Sequence, residues 1–165
     1  MSLSETLKMH ETRLTKLFFL MIVFFLMAAW QNSQAQDKVV LQPKDSTQKA
    51  MTIYYLKFSL EKPLPADAVF VFLFDDAFDL SNAEVAGSST INGGFALKKD
   101  GQKLMISRTG IGDTLPPNKK AELKFALIKN PDNPGNNFAV DVEIDGGDAG
   151  VLLKKSVTVS ITPKK

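Results

Sequence analysis

Cysteine is absent from the sequence. No disulfide can staple the fold, and no thiolate can act as nucleophile or soft metal ligand. Histidine and tryptophan occur once each, as His10 and Trp30, both within the first thirty residues. Beyond them, Ser-His-Asp and Cys-His machinery and typical zinc sites lack the residues to build them. No P-loop is present, and Gly110-Ile111-Gly112 reads as part of a loop rather than as GxGxxG before a helix. No stretch after residue 36 keeps an apolar period of 3.6 over three turns, so a helical bundle is excluded. Charge is not one-sided either. Lys and Arg number 20 against 18 Asp and Glu, a net of +2, which leaves no basic field for nucleic acid.

Long apolar runs are scarce as well. The longest, LFFLMIVFFLMAAW at residues 17–30, falls short of the roughly 20 residues a spanning helix needs. Lys16 precedes it, and the small residues Ser33 and Ala35 follow it. That arrangement predicts an export signal over residues 1–35, cleaved between Ala35 and Gln36, with Met9 as an alternative start. An uncleaved N-terminal anchor is the competing expectation. The predicted destination is the periplasm, the cell surface or the medium, with membrane contact only through the signal.

What remains, residues 36–165, has the length of one domain. Its stability must come from apolar burial, and eight of the 12 phenylalanines lie there. Residues 36–50 are polar, with a short edge strand expected at 39–41 before Pro43. MTIYYLKFSL (51–60) ends on a period of two, with Leu56, Phe58 and Leu60 on one face. AVFVFLF (68–74) is apolar at every position, which predicts a central strand covered on both sides. GFALKKDGQKLMISR reads as a hairpin about Asp100-Gly101. AELKFALI alternates with Leu123, Phe125 and Leu127 inward. NFAVDVEID puts Phe138, Val140, Val142 and Ile144 inward, and VLLKKSVTVSIT does the same with Val157, Val159 and Ile161. About eight short strands with turn signals every 8 to 12 residues predict an Ig-like antiparallel β-sandwich of seven to nine strands.

Three segments carry a resemblance: PLPADAVFVFLFDDAFDLSNA (63–83), GFALKKDGQKLMISRTGIGDTLPPNKKAEL (94–123) and FALIKNPDNPGNNFAVDVEIDGG (125–147). In this order they resemble elements of Ig-like modules in bacterial surface and adhesin-type proteins. The resemblance implies a sandwich used for adhesion or protein binding. It transfers no functional residue, because the resembling positions are structural.

Two acidic sets are candidate calcium sites, since calcium takes six to eight oxygen ligands. One is Asp75, Asp76 and Asp79, where the apolar run ends. The competing reading is a corner, with aspartates as turn formers and Asp79 capping one helical turn. The weaker set is Asp141, Glu143, Asp145 and Asp148. Its first three members share one strand face and could pair with Lys124, Lys154 or Lys155. No other cofactor is expected.

Paired carboxylates can hydrolyse glycosides, but such sites need a deep cleft with aromatic walls. Tyr54 and Tyr55 are the two tyrosines, and their adjacency in a strand points one inward and one outward. The expectation is therefore a non-catalytic envelope or extracellular module. It would present the loops 110–120 and 129–137, or a sheet edge, to a protein partner. A carbohydrate-binding module and a secreted loop-inserting inhibitor are the alternatives.

Overall fold

The structure is a computed structural model that describes residues 39–165. The predicted signal and its cleavage site lie outside the described residues. Nine strands follow in order: β1 (Val40–Pro43), β2 (Met51–Phe58), β3 (Val69–Phe74), β4 (Val85–Gly87), β5 (Phe95–Asp100), β6 (Lys103–Arg108), β7 (Ala121–Lys129), β8 (Gly135–Asp145) and β9 (Val151–Ile161). They form two antiparallel sheets, one ordered β1-β2-β7-β4 and the other β5-β6-β3-β8-β9. Among the described residues no helix is long and apolar enough to cross a membrane.

Period-two alternation builds the core. Tyr54, Leu56 and Phe58 of β2 and Leu123 and Phe125 of β7 face Phe70, Phe72 and Phe74 of β3 and Val140, Val142 and Ile144 of β8, and all are buried. Tyr54, Phe72, Phe74, Phe78 and Phe125 interlock, with the Phe72 and Phe125 rings 4.6 Å apart. Burying each such ring contributes about 2–3 kcal/mol, and this aromatic cluster does the stabilising that disulfides would otherwise do. The described residues form one compact unit by themselves.

Three expectations are corrected. β3 is central, but among the described residues only one of its faces is fully covered: Phe70, Phe72 and Phe74 are buried, while Val69 and Val71 are half-buried and Leu73 is 51% exposed. In β7 the alternation inverts after Ala126. Ile128 takes the inward place and Leu127 turns outward. The pairing of β2 with β7 slips between Thr52 and Tyr54, so Ile53 faces two β7 residues and the strand changes phase. Finally, residues 79–83 form tight turns rather than a helical turn, and β4, three residues long, follows them.

The registers place each loop at one of two ends. Residues 59–68, 88–94, 109–120 and 146–150 share one end. Residues 44–50, 75–84, 101–102 and 130–134 share the other. The loops at 110–120 and around 130 are therefore on opposite ends and cannot form one surface. β1 begins at the first end, and β9 finishes at the second. There, beyond both strands, Thr47 and Thr162 bridge in parallel, with Thr162 N donating to Ser46 O at 2.8 Å and Gln48 N to Thr162 O at 2.9 Å.

Candidate functional site

The first acidic set sits where β3 leaves the core. Asp75 Oδ1 accepts Ala77 N at 2.9 Å, and Asp79 Oδ1 accepts Ser81 N at 2.9 Å. Both are short Asx turns that reverse the chain. Hydrogen bonding from Ser81 holds the Asp79 carboxyl below its ordinary value, helped by the charges of Lys129 and Lys99. The Asp79 backbone also pairs with Lys129 in both directions. Asp76 is exposed.

The second set lies elsewhere. Asp141, Glu143 and Asp145 line the outer face of β8, and Asp148 sits in the 3-10 turn Gly147–Ala149. Lys154 on β9 pairs with Glu143 at 2.7 Å, which raises the lysine above its usual value. Asp145 Oδ1 accepts Gly147 N at 2.9 Å. Lys124, by contrast, pairs with Glu122 in the other sheet at 3.3 Å, and Lys155 stands opposite the inward Val142. Among the described residues, no three His, Cys, Asp or Glu side chains gather so as to hold a metal ion.

The outer face of the five-stranded sheet is built in rows by the pairing. Lys98, Met105, Val71, Glu143 and Lys154 form one row, and Lys103, Leu73 and Asp141 lie in the next. The result is an apolar strip of Val69, Val71 and Leu73 along β3 with Met105 of β6 beside it, bordered by Asp141, Glu143 and Asp145 on β8, Lys154 on β9, Lys103 on β6, and Lys98 and Asp100 on β5. The outer face of the four-stranded sheet differs. Tyr55 carries Lys124 Nζ 5.7 Å from its ring centroid, while Tyr54 is core, so one tyrosine points each way as expected. Toward the Asn130 end this face turns apolar.

Each end has a buried polar pin that the strand pattern did not flag as functional. Arg108 is 3% exposed. Its Nη1 donates to Leu64 O (3.2 Å) and Pro65 O (2.5 Å), and its Nη2 to Asn92 O (3.0 Å) and Asp113 O (2.8 Å). One guanidinium thus ties three loops. Burial lowers its pKa, countered by the charges of Asp67 and Asp113. Above it two loops pack backbone to backbone: a Cβ on Gly93 would fall 1.6 Å from Ile111 O, and one on Gly112 would fall 2.5 Å from Asn92 O. Both glycines have positive φ, 102° and 127°. The tip they support presents Ile111, 73% exposed. At the other end the buried Asn130 accepts Tyr54 Oη at 2.5 Å and donates through Nδ2 to Asp45 O and Thr47 O, both at 2.8 Å. The signal for Arg108 was present in KLMISR, where it falls in phase with the inward Leu104 and Ile106.

Shallow depressions open on the surface of the described residues. One of 390 Å³ lies between Val40, Phe58 and Ala121, and one of 530 Å³ between Phe78, Ser81 and Gln102. Among the described residues the buried polar or charged side chains are Thr52, Arg108 and Asn130, with no carboxylate among them.

The chain is a β-sandwich of the kind found in bacterial surface modules. It is similar in fold to a cohesin module from a family 33 glycoside hydrolase of Clostridium perfringens. That match has 14% identity and a TM-score of 0.52, and covers 78% of this chain and 98% of that one. It is also similar to the N-terminal domain of a Streptococcus gordonii adhesin, with 14% identity and a TM-score of 0.50, over 76% of this chain and 32% of that one. The major pilin SpaD of Corynebacterium diphtheriae aligns over 75% of this chain and 33% of its own length, at 15% identity and a TM-score of 0.47. No family model matches the sequence, and no curated protein matches it. At such identities the likeness is one of fold.

Proposed function

We propose that residues 36–165 are an exported, non-catalytic interaction module of the envelope or extracellular space. Its docking surface for a protein partner is the outer face of the five-stranded sheet. One observation carries the reading. β3 has the composition of a strand buried on both sides, yet on its outer side Leu73 is 51% exposed and Val69 and Val71 are only half-buried, with no described strand packed over them. An apolar centre with a charged rim is the anatomy of a protein interface. The shared fold with a cohesin module and an adhesin domain is consistent with this use.

The test is capture from envelope extract, and from a polysaccharide panel, by purified residues 37–165 and by the variant Leu73→Lys. Each runs with calcium and with chelator. The expected result is a captured protein, then identified, that Leu73→Lys loses and chelator does not affect. A captured glycan would overturn the protein-docking reading. Dependence on calcium would revive Asp75, Asp76 and Asp79, or Asp141 to Asp148, as ligands. A second reading, a loop-inserting inhibitor, draws on the rigid loop pair that holds out Ile111. It predicts loss of capture with Ile111→Asp instead.

A further inference from the structure

Asn92-Gly93 is the one Asn-Gly junction in the sequence. Both residues are exposed, in the loop 88–94 at the Arg108 end. In such a junction the next backbone nitrogen can attack the side-chain amide carbon and close a five-membered imide. A Cβ on the following residue crowds that approach, and a hydrogen bond on the attacking N–H ties it down. Gly93 has no Cβ, and among the described residues no acceptor takes its N–H. The close packing on Ile111 O, where a Cβ would fall at 1.6 Å, leaves glycine as the one residue that fits there.

The other described asparagines lack this combination. Asn130 and Asn133 precede prolines, which have no N–H to attack with. After Asn82, Ala83 N is bonded to Leu80 O at 3.0 Å. Asn118 precedes Lys119, whose Cβ crowds the approach. Asn136 and Asn137 lie within β8. The Asp-Gly junction at 145 is tied as well, since Gly146 N donates to Gly150 O at 2.9 Å.

Arg108 adds a second contribution. Its Nη2 donates to Asn92 O at 3.0 Å, the carbonyl of the same peptide unit as the Gly93 N–H. A cation on that oxygen draws electron density from the peptide and makes its N–H more acidic. Arg108 is 3% exposed, so water screens this field little. The Asn92 amide itself is held by one long contact, Nδ2 to Asp113 Oδ2 at 3.5 Å, and its Cγ can turn toward Gly93 N.

We infer that Asn92-Gly93 is a self-modifying site, which converts in the folded protein to isoaspartate. Gly93 N loses its proton and bonds to Asn92 Cγ. The bond from Cγ to Nδ2 breaks, and Nδ2 leaves as ammonia. Water then opens the ring. Arg108 polarises the α-carbonyl, so water adds there and the bond from that carbon to Gly93 N breaks. The chain now runs through Cγ, and the former Asn92 carbonyl is left as a carboxylate. In sum, one amide and one water give one carboxylate and ammonia, with no change of oxidation state. The new carboxylate stands where Arg108 already donates, and gives that buried cation the bonded counter-charge it lacks.

The experiment incubates residues 37–165 between pH 6 and pH 9, native and in guanidinium chloride. Peptide mass spectrometry follows each asparagine, with fragmentation that separates isoaspartate from aspartate, and circular dichroism confirms that the native sample stays folded. Residue 92 of the native protein is expected to gain one mass unit ahead of every other asparagine, and faster as pH rises, because the attacking nitrogen must lose its proton. The ratio of isoaspartate to aspartate is expected to be higher in the native sample than in denaturant, where Arg108 no longer holds the carbonyl. Asn92→Gln, one methylene longer, should show no gain at this position. A native residue 92 that stays asparagine while the denatured chain converts overturns the inference. So does another asparagine converting first, a rate that is flat with pH, or a ratio no higher in the native sample.

Discussion

The two ends of the sandwich solve one problem with different chemistry. At each, loop carbonyls turn inward and need donors, because an unpaired buried carbonyl is costly. One end uses a charge: Arg108 reaches Leu64, Pro65, Asn92 and Asp113 with no carboxylate bonded to it, and its Nε has no partner. The other uses neutral groups, with Asn130 between Tyr54 and the carbonyls of Asp45 and Thr47. A guanidinium serves more acceptors over a wider span, but it must be taken out of water to do so. The charged end ties more loops and depends more heavily on its one side chain.

Three perturbations sharpen that contrast, from the greatest effect to the least. Arg108→Ala leaves the Asn92 and Asp113 carbonyls without a donor and removes the tie to the loop at Leu64 and Pro65, whose carbonyls keep Leu115 N and Ala68 N. It should cost about 3 kcal/mol or more in urea unfolding, and exchange of the amides in residues 88–94 and 109–114 should accelerate. A loss under 1 kcal/mol would mean that the loops hold each other without the pin.

Tyr54→Phe removes one hydrogen bond at the neutral end and leaves Asn130 Oδ1 unpaired, for about 1–2 kcal/mol. This variant also carries a pH signature. Burial raises the Tyr54 pKa above its ordinary 10.0, so the phenol stabilises the fold fully below that pH. Its contribution is lost as pH rises beyond it, since the unfolded chain then ionises first. Wild type should lose stability steadily above pH 10, and Tyr54→Phe should lose less over the same interval.

The smallest effect belongs to the exposed turn aspartates of the neutral end. Asp45 and Asp79 have carboxyls lowered below 3.8 by hydrogen bonds from Thr47 and Ser81. Their contribution is complete above that value and fades as pH falls through the folded-state pKa. Thermal unfolding between pH 5 and pH 2 should show a shallower decline in the Asp45→Asn, Asp79→Asn double variant than in wild type. Equal slopes would assign the turns to backbone geometry alone.

Most strands could be read from alternation, because the inward positions of β2, β6, β8 and β9 are mostly apolar at period two, with Thr52, Arg108 and Lys155 the polar members of the inward phase. β4 could not: three residues, Val85-Ala86-Gly87, are too few to show a period. Leu127 misled because sequence alternation assumes an unbroken register, and the slip opposite Ile53 is a property of two strands together. The outer face of β3 misled for a different reason. Apolar residues on both sides of a strand say that both sides are meant to be covered, but not by what, and here the sandwich covers only one. Arg108 was in phase with the core, yet its four acceptors come from loops 5 to 44 residues away. Asp75 and Asp79 were legible as corner residues. Their distance from Asp141 to Asp148 was not, because it depends on which end each loop occupies.

The opposed exits of the first and last strands have a mechanical consequence. β1 enters at the Arg108 end, and β9 leaves at the Asn130 end, with the Ser46 to Gln48 stretch bridged to Thr162 in parallel. Tension between the two strands would pull β1 along its length past β2, loading their hydrogen bonds sideways and together instead of peeling them one at a time. Resistance to such a load is set by the rate of forced unfolding rather than by equilibrium stability. A thin edge strand would then act as the latch of a module under pull.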